Sequence, residues 1–187
     1  MGIKVHIMDK TYDYDGSQIS SLWAYQMFGI QADSVVAFRG QCDVQIAHMI
    51  DLEDKRENES IVSADMLHFI IEHFDSTDLK LIYSRQRLFT ALVAETLFSM
   101  GIMTNREGDD LFVNGKKLTV SIASTSAVSQ KIHFGINVSH DFYGNLEECG
   151  IAAEKTWQLL EAITGRYIKE MEDIEGDLRK SRPLGVV

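Results

Sequence analysis

An Asn-Gly pair, Asn114-Gly115, constrains the fold of this chain more than any other local feature. Both residue types accept the left-handed backbone angles that a two-residue turn between antiparallel strands requires. Alternating segments flank the pair and predict a hairpin with strands Asp110 to Val113 and Lys116 to Ile122. A hydroxyl-rich link then leads to another predicted strand, Lys131 to Val138. We therefore expect these three strands to be neighbours in one antiparallel or mixed sheet.

Helices are predicted on both sides of this hairpin from apolar spacing and capping residues. Their predicted bounds are Ser17 to Phe28, Ser63 to Phe74, Arg85 to Met100 and Ile151 to Lys180. Short apolar or alternating segments predict further strands at Gly2 to Met8, Ser34 to Arg39, Val44 to Leu52 and Leu79 to Tyr83. Mixed helices and meandering strands indicate an α+β fold, an antiparallel or mixed sheet with helices packed on it.

The length of 187 residues suits one domain spanning 1–187, with a frayed tail at 181–187. The charged stretch from Asp51 to Glu59 is predicted to be a solvated loop. Eighteen Lys and Arg against 28 Asp and Glu give a net charge of −10, which argues against nucleic acid or an anionic membrane as partner. No apolar run approaches the roughly 20 residues of a membrane span, and a cytoplasmic protein is expected.

Several signatures of known chemistry do not occur in the sequence. It has no glycine-rich phosphate loop, no Gly-x-Ser-x-Gly and no His-Glu-x-x-His. Two cysteines, Cys42 and Cys149, cannot form a disulfide framework or a four-thiolate zinc site. His68 and His73 lie five residues apart on a predicted helix, so no metal site is predicted there. The pair Asp109-Asp110 suits either a divalent cation or the entry to a strand.

The predicted hairpin resembles a motif of the biotin and lipoate protein ligase superfamily. The segment Asp109 to Leu118 is similar to its Asn-Asp-x-x-x-x-Gly-x-Lys-Leu hairpin, with Asp109 where Asn is usual. In that superfamily the lysine that opens the second strand touches the acyl carboxyl and the neighbouring phosphate. Lys117 occupies the matching place, and the resemblance thus implies a role for Lys117 at a bound acid.

Three other segments resemble the same superfamily, in the expected order. Phe38-Arg39-Gly40-Gln41 is similar to the Arg-Gly-Gly-Gln loop of the octanoyltransferase branch, although the glycine-rich part is shortened to Gly40. The segment Ile132 to Val138 looks like the strand that carries a glycine and an Asn-Val pair, here Gly135 and Asn137. Cys149-Gly150 resembles the Pro-Cys-Gly that carries the nucleophile of that branch.

The resemblance implies a site, with Arg39, Gly40, Lys117 and Asn137 bordering one apolar-lined pocket. Lys117 and Cys149 are its implied catalytic residues. The implied substrate-binding residues are Arg39, Gly40, Gln41, Asp110, Gly135 and Asn137. The chain also resembles a small prokaryotic family of single-domain proteins whose function is unassigned.

Three functions are compatible with this resemblance. The first is acyl transfer through a Cys149 thioester with Lys117 as electrophilic partner, for which an acyl thioester and a carrier protein would be partners and no cofactor is needed. The second is an ATP-dependent ligase that forms an acyl adenylate from a carboxylic acid, using Lys117, Asp110 and Mg²⁺. The third is a non-catalytic small-ligand-binding module on the same fold. The presence of both Lys117 and Cys149-Gly150 favours the first function, the Asp109-Asp110 pair favours the second, and the shortened loop around Arg39 and Gly40 favours the third.

Overall fold

A five-stranded mixed sheet and a smaller three-stranded sheet form the centre of the computed structural model, which describes residues 2–57 and 61–185. The strands are β1 (Lys4–Ile7), β2 (Ser34–Val44), β3 (Ile61–His73), β4 (Asn105–Glu107), β5 (Asp110–Val113), β6 (Lys116–Lys117), β7 (Thr119–Thr125) and β8 (Gln130–Ser139). The large sheet has the order β1-β2-β3-β8-β7, and the small one the order β4-β5-β6. Only β1 and β2 pair in parallel among these described neighbours, so the α+β prediction with a mixed sheet is confirmed.

Two long helices cover one face of the large sheet. The helices are α1 (Trp23–Phe28), α2 (Leu52–Glu57), α3 (Leu79–Ser99) and α4 (Thr156–Lys180). Leu67, Phe69 and Ile71 of β3 pack under α3 and α4 in the larger hydrophobic cluster. Met66 and Ile70 point to the other face, where a second cluster includes Trp23 of α1. The alternation of side chains along β3 therefore supplies two separate cores.

The predicted turn is present. Asn114 and Gly115 both have positive φ, 51° and 77°, as a two-residue hairpin turn requires. The predicted second strand, however, belongs to two sheets: β6 pairs with β5, and after the buried Leu118 the chain enters β7 beside β8. The prediction that β5 lies in the same sheet as β8 is thus wrong, whereas the pairing of β7 with β8 is confirmed.

The predicted helix Ser63 to Phe74 is wrong, because this segment forms the central strand β3. Its second half is buried on both faces, so its apolar residues form a nearly continuous run. Such a run has no period that distinguishes a strand from a helix. The predicted strand Leu79 to Tyr83 is also wrong. It is the first part of α3, which begins after Asp78, whose carboxylate accepts from the Leu81 amide at 2.7 Å.

The segment before β3 also departs from the predictions. β2 continues through a bulge between Gly40 and Cys42 to Val44, and Val44 to Leu52 contains a 3₁₀ turn and the start of α2 instead of a strand. Of the predicted loop Asp51 to Glu59, the part in α2 is helical and residues 58–59 lie outside the described residues.

The first and last helices are shorter than predicted. Ser17 to Phe28 is a 3₁₀ turn followed by α1, interrupted at Leu22, whose φ is 63°. The last helix begins at Thr156, after a 3₁₀ turn, and ends at Lys180 as predicted. Across residues 2–57 and 61–185, no helix combines the length and apolar character that a bilayer crossing demands.

Candidate functional site

A cavity of about 280 Å³ lies on the sheet face that α3 and α4 leave uncovered. Its apolar wall includes Ile19, Val44, Met49, Ile61, Met66 and Val120. The described polar residues around it are Tyr14, His48, Asp51, Ser63, Lys117, Thr119, Ser121, His133, Asn137, His140 and Tyr143. Apolar and polar residues thus contribute about equally to the lining, and a concave space that combines an apolar wall with convergent polar groups is a usual form of a small-molecule site.

Lys117 lies at this cavity, at the end of the short strand β6. Its Nζ is 2.8 Å from Oδ2 of Asp110 on β5, and its side chain is 38% exposed. Burial raises the pKa of Asp110, although the bond from Lys117 acts in the opposite direction. The Lys117 carbonyl accepts from the Gly144 backbone amide at 2.9 Å, and the side-chain Nδ2 of Asn137 donates to the Gly144 carbonyl at 3.2 Å. Lys117 and Asn137, both predicted site residues, therefore meet at one cavity.

Arg39 is not among the described residues that line this cavity. It lies on the opposite face of β2, where it forms a two-pronged ion pair with Asp65. Its Nη1 also donates to the Ala153 carbonyl at 3.0 Å and to Thr156 Oγ1 at 3.1 Å. The shared pocket predicted for Arg39 and Lys117 is thus not formed, because side chains on β2 alternate and Arg39 falls on the helix side. Arg39 joins β2 to the start of α4.

Gly40 and Gln41 hold the amino-terminal segment rather than line the cavity. A Cβ at Gly40 would overlap the carbonyl oxygen of Tyr12, so only glycine permits this approach. The Gln41 amide donates to Asp13 Oδ1 at 3.1 Å, and its carbonyl accepts from the Tyr14 amide at 2.8 Å. These bonds place Tyr14 over the sheet, where its ring closes one side of the cavity.

Gly135 lies in β8 below the cavity, between Met66 and Val120. A Cβ there would overlap Met66 Sδ and come within 3.1 Å of Val120 Cγ2. The absence of a side chain at Gly135 therefore lets Met66 lie across the sheet and form part of the cavity wall.

Cys149 is not among the described residues at the cavity. It lies in a turn, where its amide donates to the Leu146 carbonyl at 3.1 Å, and its side chain packs against the larger hydrophobic cluster. Burial, and then the neighbouring Glu148, raise the pKa of this thiol. Cys42 is buried in β2, and burial raises its pKa to about 12. The local surroundings therefore do not stabilise a thiolate at either cysteine.

Two buried histidines are missed by the sequence reasoning: His133, which lines the cavity, and His68, which lies behind it. Nδ1 of His68 lies 3.0 Å from Nε2 of His133, and Nε2 of His68 lies 3.3 Å from the Gly40 carbonyl oxygen. Tyr14 stacks on His133, with ring centroids 3.6 Å apart and an angle of 12° between the planes. The pair is missed because Ser63 to Phe74 is predicted to be a helix. In the structure this segment lies in β3, and β3 and β8 bring the two histidines together on one face of the sheet.

A buried ion pair lies on the same face of the sheet as His133, two residues away along β8. Lys131 Nζ is 3.2 Å from Glu72 Oε2, and both side chains are at most 2% exposed. The other oxygen of Glu72 accepts from the Leu22 amide at 2.8 Å and from Ser129 Oγ at 2.7 Å. Burial lowers the pKa of Lys131, and Glu72 counteracts this. Because each charge has its partners, this pair is structural.

A more open cavity of about 870 Å³ lies near the sheet edge, beside Asp33, Asp75 and Arg85. Asp33, His73 and Asp75 offer three potential metal ligands within 4.8 Å of one another. Their atoms already have protein partners, because Asp33 bonds His73 at 3.0 Å and Arg85 forms a two-pronged pair with Asp75. We therefore regard the smaller cavity at Lys117 as the candidate site.

Comparison with known structures identifies the fold. Protein Ta0514 from T. acidophilum, a lipoate protein ligase-like protein with bound lipoic acid, superposes with a TM-score of 0.61 at 12% identity, over 92% of this chain and 87% of that one. The biotin protein ligase of Aquifex aeolicus in complex with biotin and ATP gives 0.60 at 13% identity, over 96% and 73%. The fold is therefore that of the biotin and lipoate protein ligases, as the sequence resemblance predicted.

Two other proteins are more similar to this chain. A Protein of Unknown Function from Pyrococcus horikoshi has a TM-score of 0.91 at 40% identity, covering 97% of this chain and 99% of that one. Uncharacterized protein MJ0805 of Methanocaldococcus jannaschii is 45% identical over 181 residues, 92% of this chain and 81% of the relative. Residues 3–182 match the family described as Domain of unknown function (DUF366), and the chain belongs to that family.

Proposed function

We propose that the protein is a small-ligand-binding module whose cavity binds a carboxylic acid, with the carboxylate held by Lys117. The observation that carries this proposal is the position of Lys117: among the described residues that line the cavity, it is the only Lys or Arg. One ammonium beside the apolar wall formed by residues such as Val44, Met66 and Val120 favours a ligand with one anionic end and an apolar body. The anionic end would lie at Lys117 and away from the lining carboxylate of Asp51. Of the ligands named with the fold neighbours, lipoic acid and biotin have this form.

The Lys117 ammonium has capacity for such a ligand. An ammonium group carries three N–H donors, and within the described part of the chain Lys117 Nζ is bonded to Asp110 alone. The pair is partly exposed, 38% for Lys117 and 26% for Asp110, so little structural stability depends on it. A ligand carboxylate can therefore use the remaining donors without breaking a buried ion pair.

Acyl transfer through a Cys149 thioester makes a further demand, which the geometry does not support. The thiolate would have to attack a carbonyl held near Lys117, yet Cys149 packs against the larger cluster and its pKa is raised. Intact mass after incubation with octanoyl and lipoyl thioesters tests this hypothesis directly. We expect no acyl adduct, and an adduct that Cys149→Ser abolishes would replace the binding proposal by the thioester mechanism.

Adenylate formation also demands more than the cavity offers. A triphosphate and its Mg²⁺ need several cationic donors and free carboxylates. Asp109 is bound to Arg87 at 2.5 Å and to Gln86 at 2.8 Å, and Arg39 is paired with Asp65 on the other face. These described residues do not fit a triphosphate, and we derive no step through ATP.

Titration calorimetry with octanoic acid, lipoic acid and biotin tests the proposal, with Lys117→Gln as the decisive variant. A bond to a charged group contributes about 1.5–3 kcal/mol, so the variant should bind roughly ten- to a hundredfold more weakly. Lys116→Gln is the matched control, because the adjacent Lys116 is paired with Glu148 at 3.3 Å and is not among the described lining residues. It should bind as the wild type does.

Two results would contradict the proposal. If none of the acids binds at millimolar concentration, the cavity is not an acid-binding site. If an acid binds and both lysine variants weaken it equally, the effect is general electrostatics and Lys117 is not the contact.

A further inference from the structure

A pair of buried, hydrogen-bonded histidines, His68 and His133, meets the cavity through His133. We propose that the ligand carries a hydrogen-bond donor, a hydroxyl or an N–H group, that is accepted by Nδ1 of His133. This inference rests on the proposed function and adds to it a ligand class: carboxylic acids with a donor on the body of the molecule, as opposed to plain alkyl acids. His133 is thereby a specificity-determining residue.

The proton positions follow from a chain of hydrogen bonds that begins at a backbone carbonyl. A carbonyl oxygen only accepts, so Nε2 of His68, 3.3 Å from the Gly40 oxygen, must carry the hydrogen. In a neutral imidazole the other nitrogen is then a bare acceptor. Nδ1 of His68 lies 3.0 Å from Nε2 of His133, so Nε2 of His133 is the donor. Nδ1 of His133 is left with a lone pair and no hydrogen.

Both rings are held in the neutral form by their surroundings. Burial lowers the pKa of His68 to about 3, and burial together with the adjacent His68 lowers the pKa of His133 well below its ordinary value. The groups that face the rings on this side include the Tyr14 ring, which stacks on both, and the Phe38 ring, which stacks on His68. These neighbours are uncharged at neutral pH.

The nitrogen without a hydrogen, Nδ1 of His133, belongs to a residue that lines the cavity. His133 is one of the lining residues although only 3% of it is exposed, and within the described residues no hydrogen bond is found for its Nδ1. Among the described residues, the fully buried side-chain atoms without a hydrogen-bond partner are Ser34 Oγ and Thr164 Oγ1. His133 Nδ1 has no partner either but is not in this set, so we infer that it is accessible from the cavity. An acceptor that is bare but accessible from the cavity costs free energy unless a ligand or water donates to it.

The acceptor is also fixed in direction. Tyr14 stacks on the His133 ring and is itself tied to β2 by two backbone bonds, from its amide to Gln41 at 2.8 Å and from the Asp43 amide to its carbonyl at 2.9 Å. A ring that is held on its face and at Nε2 loses little freedom when a ligand binds. A ligand donor at the right distance from its carboxylate is therefore favoured over an ether or methylene group at the same position.

Calorimetry with matched ω-substituted acids of five to eight carbons tests this inference. Each chain length is compared as the ω-hydroxy, the ω-methoxy and the unsubstituted acid, since the ether oxygen accepts but cannot donate. We expect the best hydroxy acid to bind about tenfold more tightly than its methoxy and unsubstituted counterparts. In His133→Leu this preference should disappear. Lys117→Gln should weaken all three acids but keep the preference.

The histidine tautomers give a second measurement that needs no ligand. Nitrogen-15 NMR with labelled histidine should show His133 at neutral pH with a hydrogen on Nε2 and none on Nδ1, and the Nδ1 signal should move when the hydroxy acid is added. A His133 with the hydrogen on Nδ1 would overturn the inference. Acids that bind without preference for the hydroxyl group overturn the inference alone, and a complete lack of acid binding overturns it together with the proposed function.

Discussion

Mild acidification should destabilise the protein through the buried histidine pair, His68 and His133. In the unfolded chain an imidazole takes up a proton below about pH 6.5, whereas the folded protein keeps His68 neutral until about pH 3 and His133 neutral well below its ordinary pKa. Between these values the unfolded state binds more protons, so the free energy of unfolding falls as the pH falls. The stabilisation is complete above pH 6.5 and is lost progressively below it.

The size of the effect follows from the unfolded-state pKa. Between about pH 7.0 and 5.5, each histidine that stays neutral only in the folded state removes roughly 1.3 kcal/mol, or roughly 2.5 kcal/mol for the pair. The carboxylates of Asp15, Asp33 and Asp75 have lowered pKa values, below 3.8, and titrate outside this window. Asp110, whose pKa is raised, acts in the opposite direction. The histidines therefore dominate the change that we expect.

Urea unfolding followed by tryptophan fluorescence at the two pH values measures this difference. His133→Leu should lose about half of it, whatever the variant costs at pH 7.0, because each protein is compared with itself. His48→Leu removes an exposed imidazole instead and should keep the full difference. A wild-type free energy that does not change between the two pH values, or a His133→Leu protein with the full wild-type difference, would refute the neutral buried pair.

Two further substitutions test the packing around the site by the same urea assay. Gly40→Ala places a Cβ on the carbonyl oxygen of Tyr12 and should lower the free energy of unfolding by roughly 2–3 kcal/mol. The control Gly165→Ala in α4 meets open space and should be neutral or stabilising by about 0.5–1 kcal/mol. Equal effects of the two substitutions would show that Tyr12 moves aside. Glu72→Gln leaves Lys131 buried without its counter-charge and should cost about 3–5 kcal/mol, and a loss below about 1 kcal/mol would mean that Lys131 is neutral in the folded protein.

Local turn chemistry made the hairpin at Asn114-Gly115 predictable, because its backbone angles depend on those two residue types. The superfamily resemblance, carried by motifs in the expected order, predicted the fold. It also named Lys117 and Asn137 as site residues, and both line the cavity. Neither result needed a correct assignment of every element. Local motifs in the expected order therefore predicted the fold although the secondary structure predicted between them was partly wrong.

The missed features depend on which face of a strand a side chain occupies. His68 meets His133 only because β3 pairs with β8 in a register that places both on the cavity face. Arg39 points away from the cavity because it is one residue beyond Phe38, which faces that side. A bulge between Gly40 and Cys42 shifts this alternation again. Such facts depend on long-range pairing, which no local pattern specifies.

The two separately filled faces of the large sheet have a consequence for how such proteins diverge. On β3 the residues that pack under the helices, such as Leu67 and Phe69, alternate with residues on the cavity face, such as Met66 and His68. Substitutions on the second set can therefore alter ligand preference while the backbone is held by the first. Lineages that inherit this scaffold can change ligands one residue at a time at the cavity wall, because the residues on the helix side of each strand preserve the architecture.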